Sequence, residues 1–183
     1  MSIKADLGSV AIAQPDERWP RLFAVERRAL EGIGPLIEIE HFGSTAVPGL
    51  AAKPVIDIMA SVARLASLDR AERALASLGY RLLDVGFAKR RFYRKREVAL
   101  GIAANLHVVT AERWEDKGER LFRDWLIIHP ETAHRYALLK RDLATRFPED
   151  AEAYTAAKSK FIRKVVNLAR EDRQLPLETD WSE

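Results

Sequence analysis

The stretch HFGSTAVPGLAAKPVIDIMA, which spans residues 41–60, decides the fold because it contains a strand end, a turn and the start of a second strand. Gly43 and Ser44 form the predicted turn, since glycine and serine end strands and supply turn conformations. The segment PVIDIMASV, residues 54–62, is nearly continuously apolar, which predicts a central strand buried on both faces. Asp57 is the charged residue inside this apolar run, which makes it the first candidate for a functional role.

The segments on either side predict an α+β domain in which a helical C-terminal half packs on a sheet. The predicted strands cover residues 9–13, 36–42, 54–62, 80–85, 89–97 and 102–110, and the predicted helices cover residues 16–34, 68–79 and three segments after residue 111. Pro130 and Pro148 punctuate those last helices. We therefore predict a single domain over residues 1–183, with a sheet core at about 9–110, a helical part at about 111–172 and a tail at 173–183.

The bulk composition excludes several classes of protein. The 183 residues include 30 basic and 27 acidic side chains, a net charge of +3 that is too balanced for a protein that coats nucleic acid. The chain has no cysteine, which excludes disulfides, thiolate zinc sites and a cysteine nucleophile. It has no apolar run of about 18 residues and no signal-peptide core, so we predict a cytoplasmic protein with no membrane partner. Nucleic acid is not the expected partner, and the sequence leaves the oligomeric state open.

The turn and the loop after it offer groups that bind phosphate. Gly43 lets the backbone approach a ligand closely, and Ser44 and Thr45 add hydroxyl groups for phosphate oxygens. A helical turn that began there would add backbone N–H groups that favour an anion. Lys53 supplies a positive charge for the same phosphate. The alternatives are a simple strand-ending turn and a solvated surface lysine.

Asp57 and His107 both interrupt apolar strands. A carboxylate in a buried strand is costly to desolvate unless it is paired or binds a cation, and strands disfavour aspartate intrinsically. The alternative for Asp57 is a hydrogen bond to a neighbouring arginine or backbone N–H. His107, in NLHVV, faces the same cavity if the two strands are neighbours. A catalytic general base and a hydrogen-bonded core histidine are both open for His107.

The segment KRRFYRKR, residues 89–96, contains six basic residues. Strand alternation places Lys89, Arg91, Tyr93 and Lys95 on one face and Arg90, Phe92, Arg94 and Arg96 on the other. We favour the interpretation that Arg90 or Arg91 captures an anion. The alternatives are an edge strand protected by its charges and a surface that stacks nucleic-acid bases.

Two lysines lie on the apolar stripes of the last two helices. Lys140 follows Tyr136 and Lys158 follows Tyr154, each at a spacing of four residues that places tyrosine and lysine on one helix face. If both lysines point at one negative group, they form a phosphate-facing groove. The alternative is that each lysine extends past the edge of its helix to solvent.

The motifs HFGSTAVPGLAAKPVIDI, NLHVV and LFRDWLIIHPETAHRYALLKRDLA resemble those of the GrpB family, and the similarity runs from PDERWP to KSKFIRKVVNLA. That family is similar in fold to the nucleotidyltransferase superfamily. The resemblance implies a nucleotidyltransferase-like mixed β-sheet flanked by helices, with a C-terminal half that is like a helical bundle. It also implies that Gly43 and Ser44 occupy the phosphate-holding turn. Members are labelled glutamate-rich proteins, and similar domains occur fused to dephospho-coenzyme A kinases.

The sequence departs from the superfamily at the metal site. Active nucleotidyltransferases carry Asp-x-Asp on the strand after the turn and a third carboxylate on a neighbouring strand, and these carboxylates hold two Mg²⁺ ions. Here Asp57 aligns with the second aspartate and Val55 with the first, and Asn105 or His107 lies near the place of the third. The resemblance therefore implies at most one Mg²⁺, held by Asp57 and by the phosphates of a nucleotide.

Three functions stand as hypotheses. The first is a transferase that moves a nucleotidyl or phosphoryl group from a nucleoside triphosphate, with Asp57 on the metal and His107 as general base. The second is a binding module that holds a nucleotide or another phosphorylated small molecule without turnover, which Val55 favours. The third is a folding-accessory or partner-binding protein, suggested by the fused occurrences. We favour the first, and the sequence leaves its acceptor open.

Overall fold

Five strands form one mixed sheet in the computed structural model, which describes residues 10–112 and 114–178. The strands are β1 (Ile39–Phe42), β2 (Val55–Val62), β3 (Arg81–Leu83), β4 (Arg90–Ala99) and β5 (Ile102–Thr110). Their order across the sheet is β1-β2-β5-β4-β3. β2 and β5 are parallel, and the other neighbouring pairs are antiparallel. The order places β2 and β5 in the interior of the sheet.

Helices flank the sheet, and the starts of the last two follow the usual sequence signals. They are α1 (Arg18–Leu30), α2 (Glu72–Ser77), α3 (Gly118–Ile128), α4 (Pro130–Arg146) and α5 (Ala151–Asp172), with 3₁₀ turns at Ser44–Ala46, Leu65–Arg70 and Trp114–Asp116. Pro130 begins α4, where a missing N–H costs no hydrogen bond. The Asp150 carboxylate caps α5 by accepting the N–H of Ala153. No helix within the described residues is long and apolar enough to cross a membrane.

The two faces of β2 are buried against different parts of the chain. Ile56 and Ile58 are fully buried and belong to one apolar cluster with Trp19 and Leu30 of α1. Asp57 points to the opposite face, because side chains alternate along a strand. The C-terminal helices α4 and α5 lie over that face, so the carboxylate meets the helical half of the protein.

The loop between β1 and β2 is enclosed by the C-terminal helices. Val47 and Leu50 are buried in an apolar cluster formed with α3, α4 and α5. Next to it, Glu40 of β1 forms ion pairs with Arg120 and Arg123 of α3, at 2.9 and 2.8 Å. Apolar packing and paired charges thus fix the helical half against the first strand and the turn that follows it.

The α+β architecture predicted from the sequence is confirmed, but the predicted strand at Ser9–Ala13 is wrong for residues 10–13. Ala13 forms only an isolated bridge with Ala52, and Ser9 lies outside the described residues. The Val10 N–H instead donates to the carbonyl of Pro148 at 2.8 Å. The segment therefore follows the helical half rather than the sheet.

The interpretation of β4 as an exposed edge strand is also wrong. β4 lies between β5 and β3, so its backbone is paired on both sides at residues 92–94, where β3 joins it. Its charges meet acidic side chains from other elements: Arg91 pairs with Asp69 and Glu72, and Lys95 pairs with Glu26. The basic run of this strand therefore serves interactions within the fold.

Candidate functional site

A cavity of about 220 Å³, here called the Asp57 cavity, lies between one face of the sheet and the helices α4 and α5. Its polar lining comes from the β1–β2 loop, three strands and both helices: Ser44, Thr45, Lys53, Asp57, Arg94, Asn105, Lys140, Tyr154, Thr155 and Lys158. Among these described residues four are cationic and one is a carboxylate. The cavity is therefore predominantly positive.

Gly43 begins the turn in a conformation that side chains other than glycine rarely adopt, with φ of +70° and ψ of −170°. A Cβ atom at this position would lie 2.6 Å from Oδ2 of Asp57. The absence of a side chain therefore lets the turn lie directly against the carboxylate. Ser44 follows in the 3₁₀ turn and lines the cavity.

Thr45 is buried, and its hydroxyl group ties the turn to the start of β2. Oγ1 of Thr45 donates to the carbonyl of Val55 at 2.9 Å and lies 3.0 Å from Nε2 of His41. Because the hydroxyl proton points at Val55, His41 donates through Nε2. Burial lowers the pKa of His41 to about 4, so its ring is neutral. Thr45 lines the cavity, but its hydroxyl is committed to these protein groups.

Asp57 lies at the end of a hydrogen-bonded row that crosses three strands. Nη1 of Arg94 donates to Oδ1 of Asn105 at 2.8 Å, and Nδ2 of Asn105 donates to Oδ1 of Asp57 at 2.8 Å. Burial raises the pKa of Asp57, and the hydrogen bond from Asn105 and the charges of Lys158, Arg94 and Lys53 oppose this rise. The carboxylate therefore has an amide and cations as neighbours.

Lys140 and Lys158, predicted from their helix positions, both reach the cavity. Lys140 is only 2% exposed, and its Nζ donates to the carbonyl of Ala51 at 2.6 Å. Its Nζ also lies 4.6 Å from the ring centre of Tyr136, and Nζ of Lys158 lies 4.1 Å from that of Tyr154. Burial lowers the pKa of Lys140 to about 7 and that of Lys158 to about 8.

Lys53, which lies just before β2, also has a lowered pKa. Burial and the charge of Arg94 lower its pKa, and the charge of Asp57 raises it. The three lysines thus share two causes of a lowered pKa, namely loss of water and the positive charges of their neighbours. Loss of water and mutual repulsion destabilise the charged form of these lysines. A negatively charged ligand therefore stabilises the site more than a neutral ligand does.

His107 is placed next to the cavity but does not line it, which corrects the expectation that it faces the same cavity as Asp57. It lies two residues beyond Asn105 on β5, and its ring centre is 4.7 Å from that of Phe92. Nη1 of Arg90 lies 3.3 Å from its Nδ1. Burial lowers the pKa of His107 to about 3, so the ring is neutral and a weak base. The structure favours the core histidine among the two alternatives.

Arg90 and Arg91 do not line the cavity either. Arg90 lies on the same face as Asp57, but its Nη2 pairs with Glu119 of α3 at 2.6 Å. Arg91 lies on the opposite face and donates to Asp69 and Glu72. The predicted alternation along this strand is correct, and the predicted choice of arginines is corrected in favour of Arg94.

Cross-strand register explains why Arg94 takes that place. Asp57 is paired with Asn105 on β5, and Asn105 is paired with Arg94 on β4. The three side chains therefore form one row on one face of the sheet. Alternation in the sequence predicts on which face of the sheet Arg94 lies. No local signal predicts which residue of β5 it is paired with.

The donor set around Asp57 does not suit a divalent cation held by the protein. Mg²⁺ prefers about six oxygen ligands in octahedral geometry. The described lining supplies one carboxylate among four cations, and the side chain of Val55, which also lines the cavity, cannot bind a metal ion. Residues 10–112 and 114–178 contain no group of three or more histidine, aspartate or glutamate side chains that could hold a metal ion.

A larger groove, of about 400 Å³, lies between the β1–β2 loop, the end of α3 and the first half of α4. Its lining is mainly apolar, and its charged or titratable members in the described part of the chain are His134 and Arg141. Asp57 does not reach it. Of these two cavities, the Asp57 cavity has more side chains that can bind an anion.

Comparison with known proteins finds related sequences across most of the chain. A family model described as GrpB protein matches residues 9–168. A UPF0157 protein of Pseudomonas aeruginosa is 37% identical over 172 residues, which cover 90% of this chain and 69% of that protein. The family match includes the turn and the strand that carry the cavity.

Two solved structures are similar in fold. The crystal structure of the conserved protein GrpB from Enterococcus faecalis matches with a TM-score of 0.77 and 28% identity, covering 90% of this chain and 99% of that one. A Cid1 poly(U) polymerase mutant bound to MgATP matches with a TM-score of 0.52 and 17% identity, covering 74% of this chain and 45% of that one. The second likeness concerns the fold alone, and it confirms the expected nucleotidyltransferase-like sheet flanked by helices.

Proposed function

The chain belongs to the GrpB family, and we propose that its Asp57 cavity binds a nucleoside triphosphate or another phosphorylated small molecule. The observation that carries the proposal is the convergence of Lys53, Arg94, Lys140 and Lys158 on one cavity. A multiply charged phosphate offsets such an excess of positive charge. The nucleotidyltransferase-like fold supports a nucleotide as the ligand by analogy.

The lining groups would bind phosphate in different ways. Arg94 offers a planar guanidinium group that can bind two phosphate oxygens, whereas Lys53 and Lys158 act as point charges. Lys140 is anchored on a backbone carbonyl and would contribute its charge from a fixed position. The Gly43 turn would let the ligand approach the backbone, as a side chain at that position would not.

Asp57 is the residue that would hold a Mg²⁺ if a nucleotide brought one into the cavity. A single carboxylate supplies a small part of the oxygen ligands that this ion requires. The remaining ligands would have to come from the phosphates and from water. Because the described residues do not fit a metal held by the protein alone, we assign no step to the ion.

Transfer of a nucleotidyl or phosphoryl group is the second candidate function. It rests on Asp57, because burial raises the pKa of this carboxyl group and makes its carboxylate a stronger base than that of an exposed aspartate. Incubation with ATP, GTP, CTP and UTP, followed by detection of pyrophosphate and phosphate, tests for turnover. Product release that Asp57→Asn abolishes without loss of binding would support transfer. If the wild type binds a nucleotide but releases no product, the protein is a binding module without turnover.

Lys158→Ala is expected to weaken the binding of inorganic triphosphate about 30-fold or more, because the lysine faces the anion where little water screens its charge. Lys160→Ala is the matched control, since Lys160 lies on the same helix with an exposed side chain. It is expected to change the affinity by no more than about twofold. Calorimetric titration measures both variants, and equal affinities would contradict the assignment of the cavity as the anion site.

The affinity for triphosphate is expected to fall as the pH rises from about 6 to about 9, because Lys140 and Lys158 lose their protons near pH values of about 7 and about 8. A bound anion raises both pKa values, so binding takes up protons in this window. In the absence of ligand, the effect of pH on the free energy of unfolding is opposite to its effect on the affinity. The unfolded chain binds more protons between these values and the ordinary lysine pKa of 10.5, so this contribution to stability is lost as the pH falls.

Calorimetry in two buffers of different ionisation enthalpy measures the proton uptake directly. Lys140→Met, which removes the titrating group and keeps its apolar stem, should flatten the lower part of the profile. An affinity that is constant across the window, with no proton uptake, would mean that the lysines are fully charged before the ligand arrives.

A further inference from the structure

We propose that the Asp57 cavity binds phosphate groups directly through lysine and arginine side chains, with no divalent cation between the protein and the ligand. The ligand class is a di- or triphosphate group. This inference rests on the proposed function and adds to it the way in which the phosphate charge is neutralised.

The balance of charge in the cavity is the first argument. A site that binds phosphate through metal ions presents carboxylates, and the metal supplies the positive charge. Here the described lining presents Lys53, Arg94, Lys140 and Lys158 against the single carboxylate of Asp57. These side chains can supply the positive charge themselves, with the lysines fully protonated once the ligand is bound. A divalent cation would enter a cavity that repels it.

The oxygens of Asp57 are the second argument. Oδ1 accepts the hydrogen bond from Nδ2 of Asn105 at 2.8 Å. Oδ2 lies against the backbone of Gly43, so closely that a Cβ there would be 2.6 Å away. The amide of Asn105 therefore occupies one of the acceptor sites of the carboxylate, and the turn lies on the side of Oδ2. The acceptor sites that remain on this one carboxylate supply only a few of the oxygen ligands that Mg²⁺ prefers.

Asn105 is the third argument, because of what an amide does at this position. It is paired with Asp57 across β2 and β5, where a carboxylate would help to complete a metal site. Its amide donates to Asp57 and accepts from Arg94. An aspartate could only accept, and its charge would repel that of Asp57. The amide links the carboxylate to a guanidinium group, which takes the place of the metal charge.

The recognised part of the ligand is its anionic group rather than a base. The aromatic ring that lines the described part of the cavity is that of Tyr154, and Nζ of Lys158 lies over this ring at 4.1 Å. That face of the ring is therefore not available for a base to stack on. A volume of about 220 Å³ is also small beside the pockets of roughly 300–1,000 Å³ that enclose whole organic ligands.

Calorimetric titration of the wild-type protein with pyrophosphate and triphosphate, in EDTA and again in Mg²⁺, tests the inference without any variant. We expect binding in EDTA and an equal or lower affinity in Mg²⁺, because the metal reduces the charge of the free ligand. Binding that requires Mg²⁺ would overturn the inference and leave the proposed function standing. No binding of either probe in both conditions would contradict the proposed function itself.

Asp57→Asn gives opposite results under the two mechanisms. Direct binding predicts that triphosphate affinity in EDTA is retained or rises by up to about 10-fold, since a negative charge near the anion is removed. A metal-mediated site predicts a loss of 10-fold or more, which would overturn the inference. Thermal unfolding of the variant checks that its fold is intact.

Asn105→Asp is the converse variant, since it builds the pair of carboxylates that a metal site would need. We expect its triphosphate affinity in EDTA to fall about 10-fold and to recover when Mg²⁺ is added. An affinity in EDTA equal to that of the wild type would overturn the role given to the amide.

Discussion

Gly43→Ala is expected to lower the free energy of unfolding by about 3 kcal/mol, which combines the strain of its backbone conformation with a steric clash. With φ of +70° and ψ of −170°, the position lies in a region that L-residues rarely adopt. The new methyl group would lie 2.6 Å from Oδ2 of Asp57, which is held in place by Asn105. Urea unfolding followed by circular dichroism measures the change.

Gly49→Ala separates the two causes, because Gly49 has φ of +72° and no heavy atom within 4 Å of an added Cβ. It carries a comparable positive φ without the clash, and we expect a loss of about 1 kcal/mol. The difference between the variants measures how tightly the turn lies on Asp57. Equal losses at the two positions would mean that the carboxylate moves aside freely.

Glu26→Ala is expected to destabilise the protein by about 3 kcal/mol, because it leaves a positive charge and a hydroxyl group without their acceptor. Glu26 is 2% exposed. Its carboxylate accepts from the hydroxyl of Tyr80 at 2.7 Å and from Nζ of Lys95 at 2.7 Å. It thus joins α1 to β4 and to the segment before β3. The free energy of unfolding in urea is the measurement.

Glu31→Ala provides the comparison at the end of the same helix. Glu31 pairs with Arg27 at 3.0 Å, but both side chains are more than half exposed. Such surface pairs contribute about 0–1 kcal/mol because water screens them. If the two glutamate variants were equally stable, the Glu26 network would be no stronger than a surface pair, and our account of it would be wrong.

The strand that carries the basic run shows what a local pattern predicts and what it does not. Alternation placed Arg90 and Arg94 on one face of β4 and Arg91 on the other, as the structure has them. It did not show which arginine reaches Asp57, because that depends on register with β5. Arg94 is level with Asn105, whereas Arg90 is level with Val109 at the far end of that strand. Local sequence signals do not determine how neighbouring strands pair.

The two helical lysines also show what local sequence signals predict and what they do not. The four-residue spacing of Tyr136 with Lys140, and of Tyr154 with Lys158, placed each lysine on the buried face of its helix. Their meeting in one cavity depends on how α4 and α5 pack on the sheet, which no segment encodes by itself. Local propensity failed at Val10, where branched apolar residues predicted a strand and a contact with the helical half prevailed.

The cavity described above is assembled from parts of the chain that are far apart in sequence. Lys53 and Asp57 come from its first third, Arg94 from its middle and Lys158 from its last helix. Contacts across such separations require the closure of long loops, whose entropic cost precedes any gain. A chain still emerging from the ribosome without α5 lacks one wall of this cavity. The phosphate binding that we propose therefore requires α5 to be docked on the sheet.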